Sequence, residues 1–314
     1  MLFSILILMV NQFVTNSRRS FTTVTGKSSQ VSLVKLGKVG KPIITTIVVF
    51  YAAFFAIIPL VSFALESFLE VSGDYSTFTL YYWITSEQTN AYITGSVGIL
   101  RNKEIWKAFG NSLLISIICA LIAGTFGILV GYGVAKKRGS RLANYVSNLA
   151  FLPYLIPAMS FATIYLIMSY TKALSFLNGS LLLLIVVGSI KFLPFASKSG
   201  TNAMLQLSNE IEEAAIIVGV PWWKRMVRVL FPIQKSSFIS GYLLPFVSCM
   251  RELTLFVLLT GSSTILTAVL QNYEKYDCVQ ISNGINLIII VSVLVINLVV
   301  NKLTGASIDK GVGG

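Results

Sequence analysis

The sequence predicts an all-α, polytopic transmembrane helical bundle with about six spanning helices, and three observations predict it. Hydrophobic residues make up 55% of the 314-residue chain, charged residues 11%, and mean hydropathy is +0.79. Soluble domains carry about 25% charged residues, so lipid must solvate much of this chain. Most of the remaining charges sit between long, almost uncharged windows, each at or above the ~20 residues that a helix needs to cross a bilayer. The basic residues are also shared unevenly between alternate loops, as the positive-inside rule expects.

The chain begins with an apolar run, 1–14, too short to span and with no basic region before it, so it does not read as a cleavable signal peptide. It reads as an interfacial helix or the remnant of a longer span. Residues 18–41 follow with six basic residues and no acid. The predicted spans are 42–65, 108–135, 142–171, 173–197, 236–259 and 278–301. The third holds Pro153 and Pro157, which predict a kink. The fourth holds Lys191, expected to snorkel toward the interface. Gly124, Gly127, Gly131 and Gly133 in the second are expected to let helices approach closely.

Loops 18–41, 136–141 and 191–235, with the tail after 301, hold 18 Lys and Arg; the loops of the other side hold 5. This predicts both termini and loop 191–235 on the cytoplasmic side; the resemblance described below implies that the membrane is a bacterial inner membrane. The expected domains are an N-terminal stub and basic segment (1–41), a membrane domain (42–303, with a long loop at 196–235 that the resemblance below implies to be a coupling loop) and a tail (304–314). Loop 66–107, with Tyr75, Phe78, Tyr81, Tyr82 and Trp83, reads as an interfacial segment or part of a platform for an outside partner. Its end, 99–107, is expected to lie along the interface before the second span.

Several function classes are disfavoured. The net charge of +12 resides in membrane-flanking loops, so it does not indicate nucleic acid. Cys119, Cys249 and Cys278 lack disulfide or metal spacing, and the chain has no histidine. No P-loop and no nucleophile–base pair is visible. No catalytic residue, metal site or cofactor is therefore assigned.

The one long polar-rich segment in the second half is 209–232. Asn209 is a candidate cap, with Glu212 three residues on completing a capping box. Ile211, Ala214, Ala215 and Val218 fall on one helical face, small in its middle. Gly219 suits a left-handed stop, and Pro221 the start of a second short helix carrying Lys224, Arg225 and Arg228. The product is a compact knob for another protein to hold. In the predicted fifth span, Arg251 and Glu252 lie ~24 Å above its start at 1.5 Å per residue. Charges at that depth face a partner helix or a water-filled path; both readings stay open.

Glu213, Ala214, Ala215, Gly219 and Pro232, with Val229 and Phe231 between, resemble the EAA loop of ABC-type importer permeases, in which E-A-A is followed by three residues, G, nine residues and I-x-L-P. The resemblance implies the type I ABC importer permease fold. It also implies that these five residues couple the chain to cytoplasmic ABC ATPase subunits. A second permease half (homo- or heterodimer), an extracytoplasmic substrate-binding protein and membrane lipid are the other implied partners. The run CMRELTLFVLLTGSST, 249–264, is similar to the fifth span of ferric iron permeases, which implies iron as cargo and Arg251 and Glu252 on the translocation path; Thr260 stands where that family usually has proline. Residues 17–27 resemble the linker between the halves of fused ferric permeases, which implies a second half needing a first-half partner. Sulfate, molybdate, thiamine or a polyamine are alternative cargoes, and an ion-driven secondary transporter the alternative class.

Overall fold

The computed structural model describes residues 37–260 and 265–306. The apolar stub, the linker-like segment up to 36, Gly261 and Thr264, and the tail from 307 lie outside the described residues. The chain forms two units, 1–65 and 66–314. In the first, α1 (Gly37–Ala52) runs through a π-turn into α2 (Ile58–Glu66), and 28 residues from Val39 form one apolar stretch of spanning length.

The second unit is built on α3 (Lys103–Lys136), which packs along α6 (Leu181–Leu205). Small residues permit this contact. A Cβ on Gly127 would lie 2.7 Å from the Ser197 nitrogen, and one on Gly131 2.5 Å from the Thr201 nitrogen. Nothing lies within 4 Å of a Cβ on Gly133, so that glycine is not part of the contact. α3 begins five residues before the predicted window. The Asn102 carboxamide oxygen accepts from the Glu104 and Ile105 amides, while its nitrogen donates to the Tyr273 hydroxyl at 2.8 Å. Ile99, expected at the interface, is buried in the core beside Ile105 and Ile285.

Two predicted spans are broken. The third is α4 (Arg141–Leu155) and α5 (Ala158–Ser169), bent by 97°. Pro157 forces Ile156 into an extended conformation and supplies no N–H. The fifth is α8 (Lys235–Met250) followed, after Arg251–Leu253, by the short α9 (Thr254–Thr260); α7 (Asn209–Ile217) precedes them. At 16 residues, α8 falls short of a spanning helix. α10 (Leu266–Lys275) and α11 (Val279–Thr304) complete the unit. Among the described residues, four helices are long and apolar enough to cross a membrane, or five if the bent pair counts as one span. The count of six is not confirmed.

Candidate functional site

The segment after α6 folds as a knob, and its cap differs from the sequence reading. Ser208, not Asn209, caps α7, its hydroxyl accepting from the Glu210 amide at 3.3 Å. Asn209 lies inside the first turn and accepts from Lys136 Nζ. Glu212 is no capping-box partner. It is 2% exposed and reaches the last turn of α3, where the Tyr132 hydroxyl donates to it at 2.6 Å. Lys136 Nζ stands 2.6 Å from its other oxygen, and Arg225 Nε lies 3.6 Å away. Burial pushes the Glu212 carboxyl up. The hydrogen bonds from Lys136 and Tyr132, with the charges of Lys136 and Arg225, outweigh burial and hold it below the ordinary carboxylate value.

The far end of the knob closes as the sequence predicts. Gly219 is left-handed, with φ +77°. Its N–H bonds the Ile216 carbonyl at 2.9 Å and the Val220 N–H bonds the Ala215 carbonyl at 3.0 Å, the paired bonds of a Schellman motif. Pro221 opens the helix Trp222–Arg225, and Arg225 Nη1 donates back to the Val220 carbonyl at 2.8 Å. Pro232 follows a π-turn in which the Phe231 N–H reaches the Met226 carbonyl. Met226 and Leu230 anchor this return into a core with Ile128, Ala203 and Phe238.

Of the face predicted to be apolar, Ala214 and Val218 point outward and Ile211 and Ala215 are half-buried. Glu213 and Ala214 are exposed, Ala215 is half-buried, and Ile217 and Val218 are 85% and 80% exposed. Glu212 takes the inner face because its carboxylate finds a hydroxyl and two cations there. The knob is thus a rigid, apolar-tipped projection, keyed to α3 by one buried carboxylate.

Arg251 and Glu252 lie elsewhere, at the break between α8 and α9. Glu252 Oε1 accepts from the Leu255 amide at 2.9 Å, and its carbonyl accepts from the Thr267 hydroxyl at 3.0 Å. Arg251 is exposed. Both line a 670 Å³ cavity with Ser248, Tyr154, Lys191 and Phe192. Lys191 does not snorkel. It is 9% exposed and its ammonium donates to the Pro153 carbonyl at 2.9 Å and the Ile156 carbonyl at 2.6 Å. In an unbroken helix the residue at 157 would donate to the carbonyl at 153; Pro157 cannot, and Lys191 takes its place. The cation also lies over the Phe161 ring, 5.2 Å from its centroid.

Sequence reasoning missed Lys191 and Tyr132 as structural partners. A signal for the first was available: a lysine inside a predicted span, in a chain with a proline-orphaned carbonyl. Tyr132 and Lys136, one turn apart at the end of α3, were a weaker signal for a buried acid.

Long apolar helices, two predicted spans broken at a charged cavity and a keyed knob on a polar loop are the features of a membrane-embedded chain. Residues 124–309 match the family described as binding-protein-dependent transport system inner membrane component, and the chain belongs to that family. It is a multi-pass membrane permease of the ABC importer class. It is 23% identical over 309 residues to the ferric transport system permease protein FbpB of Actinobacillus pleuropneumoniae, covering 97% of this chain and 42% of the relative. It thus spans about two fifths of that protein's length. It is also 26% identical over 214 residues to a probable sulfate transport system permease protein of Prototheca wickerhamii, covering 61% of this chain and 80% of the relative. In fold, it resembles a chain of a bacterial ABC transporter involved in the import of the acidic polysaccharide alginate. The TM-score is 0.60 at 14% identity, with 83% of this chain and 95% of the other covered.

Proposed function

We propose that this permease couples ATP hydrolysis on partner ABC ATPase subunits to import, with ferric iron delivered by an extracytoplasmic binding protein as cargo. The observation that carries the coupling role is the pinned knob: α7 is closed at Gly219, keyed through Glu212, and turns Ile217 and Val218 outward. An apolar tip on a stiff helix fits a cleft on a soluble partner, as in helix-in-groove recognition. Glu213, Ala214, Ala215, Gly219 and Pro232 shape the docking element. Arg251 and Glu252 line the translocation path. In this reading 42–303 is the membrane domain, both termini and the knob are cytoplasmic, and a second permease half completes the pore.

The ferric relative favours iron over the sulfate that the second relative's name carries. Purifying the tagged chain in mild detergent, with mass spectrometry of what accompanies it, tests the coupling role. An ATPase subunit is expected with the parent protein and lost with Ile217→Asp, which places a charge on the tip without touching Glu212. Recovery of the same ATPase with Ile217→Asp would refute the docking surface. ATP-dependent uptake of radioactive iron by the purified assembly tests the cargo; uptake of sulfate in its place would replace iron.

A further inference from the structure

We propose that the cavity at the two helix breaks is a transit site for an anion, so that cargo crosses this permease carrying net negative charge. This rests on the permease reading above and names the substrate class of its translocation path.

Three side chains with formal charge line the cavity, two cations (Lys191 and Arg251) and one carboxylate (Glu252). Lys191 is the eleventh residue of the 25-residue α6, about 15 Å along it at 1.5 Å per residue, so the cavity lies near mid-span. Its ammonium donates to two carbonyls, neutral groups that take two of its three donors, and no carboxylate lies within 4.0 Å of it among the described residues. Arg251 has no carboxylate within 4.0 Å among the described residues and is open to the cavity. Glu252 is partly committed, because Oε1 accepts from the Leu255 amide. The N-terminus of α5 adds the same sign: Pro157 and Ala158 border the space, and no side chain caps that helix.

A net positive cavity is flanked by low-dielectric protein and lipid, which weaken the screening of its charge, and an entering anion supplies a counter-charge. An entering cation would meet two like charges and one carboxylate already holding an amide. Two sources share the anion chemistry, a free oxyanion and a ferric ion wrapped by enough oxyanion ligands to carry net negative charge.

The test needs neither ATP nor a partner. Ser248 lines the cavity on α8 and is replaced by cysteine in the full chain, in lipid nanodiscs. The parent protein, with Cys119 and Cys249 buried and Cys278 half-buried, is the blank. Labelling rates are compared for anionic and cationic methanethiosulfonates of similar size, each relative to a free thiol. The expected result is a preference of about tenfold or more for the anionic reagent, the scale on which charged clefts concentrate ligands. Adding Arg251→Gln should remove most of it, and adding Glu252→Gln, which keeps the oxygen that Leu255 uses, should enlarge it. Equal rates, or a cationic preference, would overturn the proposal.

Protection of the same cysteine by sulfate, phosphate or ferric citrate then identifies the source. Slowing by sulfate or phosphate indicates a free oxyanion and slowing by ferric citrate alone a chelate; labelling that none of them slows overturns the transit site. A chain with the anionic preference but no ATPase partner would lose the coupling role and keep this inference. A coupled chain without the preference would do the reverse.

Discussion

Replacing Glu212 should release the knob from α3 while leaving the membrane core folded. Glu212→Gln keeps the shape and one acceptor for Tyr132 but removes the charge that faces Lys136 at 2.6 Å and Arg225 at 3.6 Å. Breaking a buried pair costs about 3–5 kcal/mol. Lys136 is partly exposed and can turn to water, so about 2 kcal/mol is the reasonable share, equivalent to a roughly 30-fold shift in a local opening equilibrium. Hydrogen exchange of the peptide spanning 209–220 measures that opening directly. The expected result is a loss of protection near 30-fold there, with the α3–α6 contact unchanged. Equal protection in parent and variant would refute the key. The pH dependence has a fixed sign. The folded carboxyl is held below its ordinary value, so its contribution is complete above about pH 4.5 and is lost as pH falls through the lower, folded value. Emission from Trp222, whose ring lies 5.9 Å from that of Tyr132, should stay constant from pH 8 to 6 and shift only on acidification below that range.

Two further substitutions test the geometry. Gly219→Val should uncouple ATP hydrolysis from uptake at a backbone cost of roughly 1–2 kcal/mol, because φ is +77° while no atom lies within 4 Å of the new Cβ. Gly219→Asn, which tolerates that conformation, should restore coupling, and full uptake with the valine would sink the assignment. Lys191→Met leaves the Pro153 and Ile156 carbonyls without their donor, at about 1–3 kcal/mol for each. The apparent melting temperature in detergent should therefore fall, and an unchanged value would refute the idea that this ammonium holds the bend.

Features fixed by a residue's own backbone chemistry were legible in the sequence. Gly219 ends its helix and Pro157 breaks one, because φ and a missing N–H are properties of single residues. The spanning windows were legible in composition, but composition cannot distinguish a straight span from a bent one. Nothing local marks the break at Arg251–Leu253, which lacks both glycine and proline. It is held by the Glu252 side chain on Leu255 and by Thr267 from fifteen residues away. Glu212 was misread for the same reason. A glutamate three residues after an asparagine satisfies the capping-box pattern, yet its partners lie 76 and 80 residues earlier on α3. Tertiary contacts overrode a local preference worth about 1 kcal/mol.

One element, α6, lines the cavity and leads into the knob, and in the proposed coupling role this constrains how a pull at one reaches the other. α6 carries Lys191 at mid-length and ends at Leu205, four residues before α7 begins. The fourteen residues from the one after Lys191 to Leu205 make a lever about 21 Å long. Its outer part is clamped to α3 where Gly127 and Gly131 allow backbone contact, and α3 in turn holds Glu212 through Tyr132 and Lys136. A force on the apolar tip therefore loads α3 and α6 together, as one body. The point of compliance lies closer to the cavity, at Pro194, which supplies no N–H to the Ile190 carbonyl one turn back. Lys191 sits just beyond that point, with its ammonium across the α4–α5 bend. Small rotations there change the bend and the cavity wall at the same time, because one side chain belongs to both.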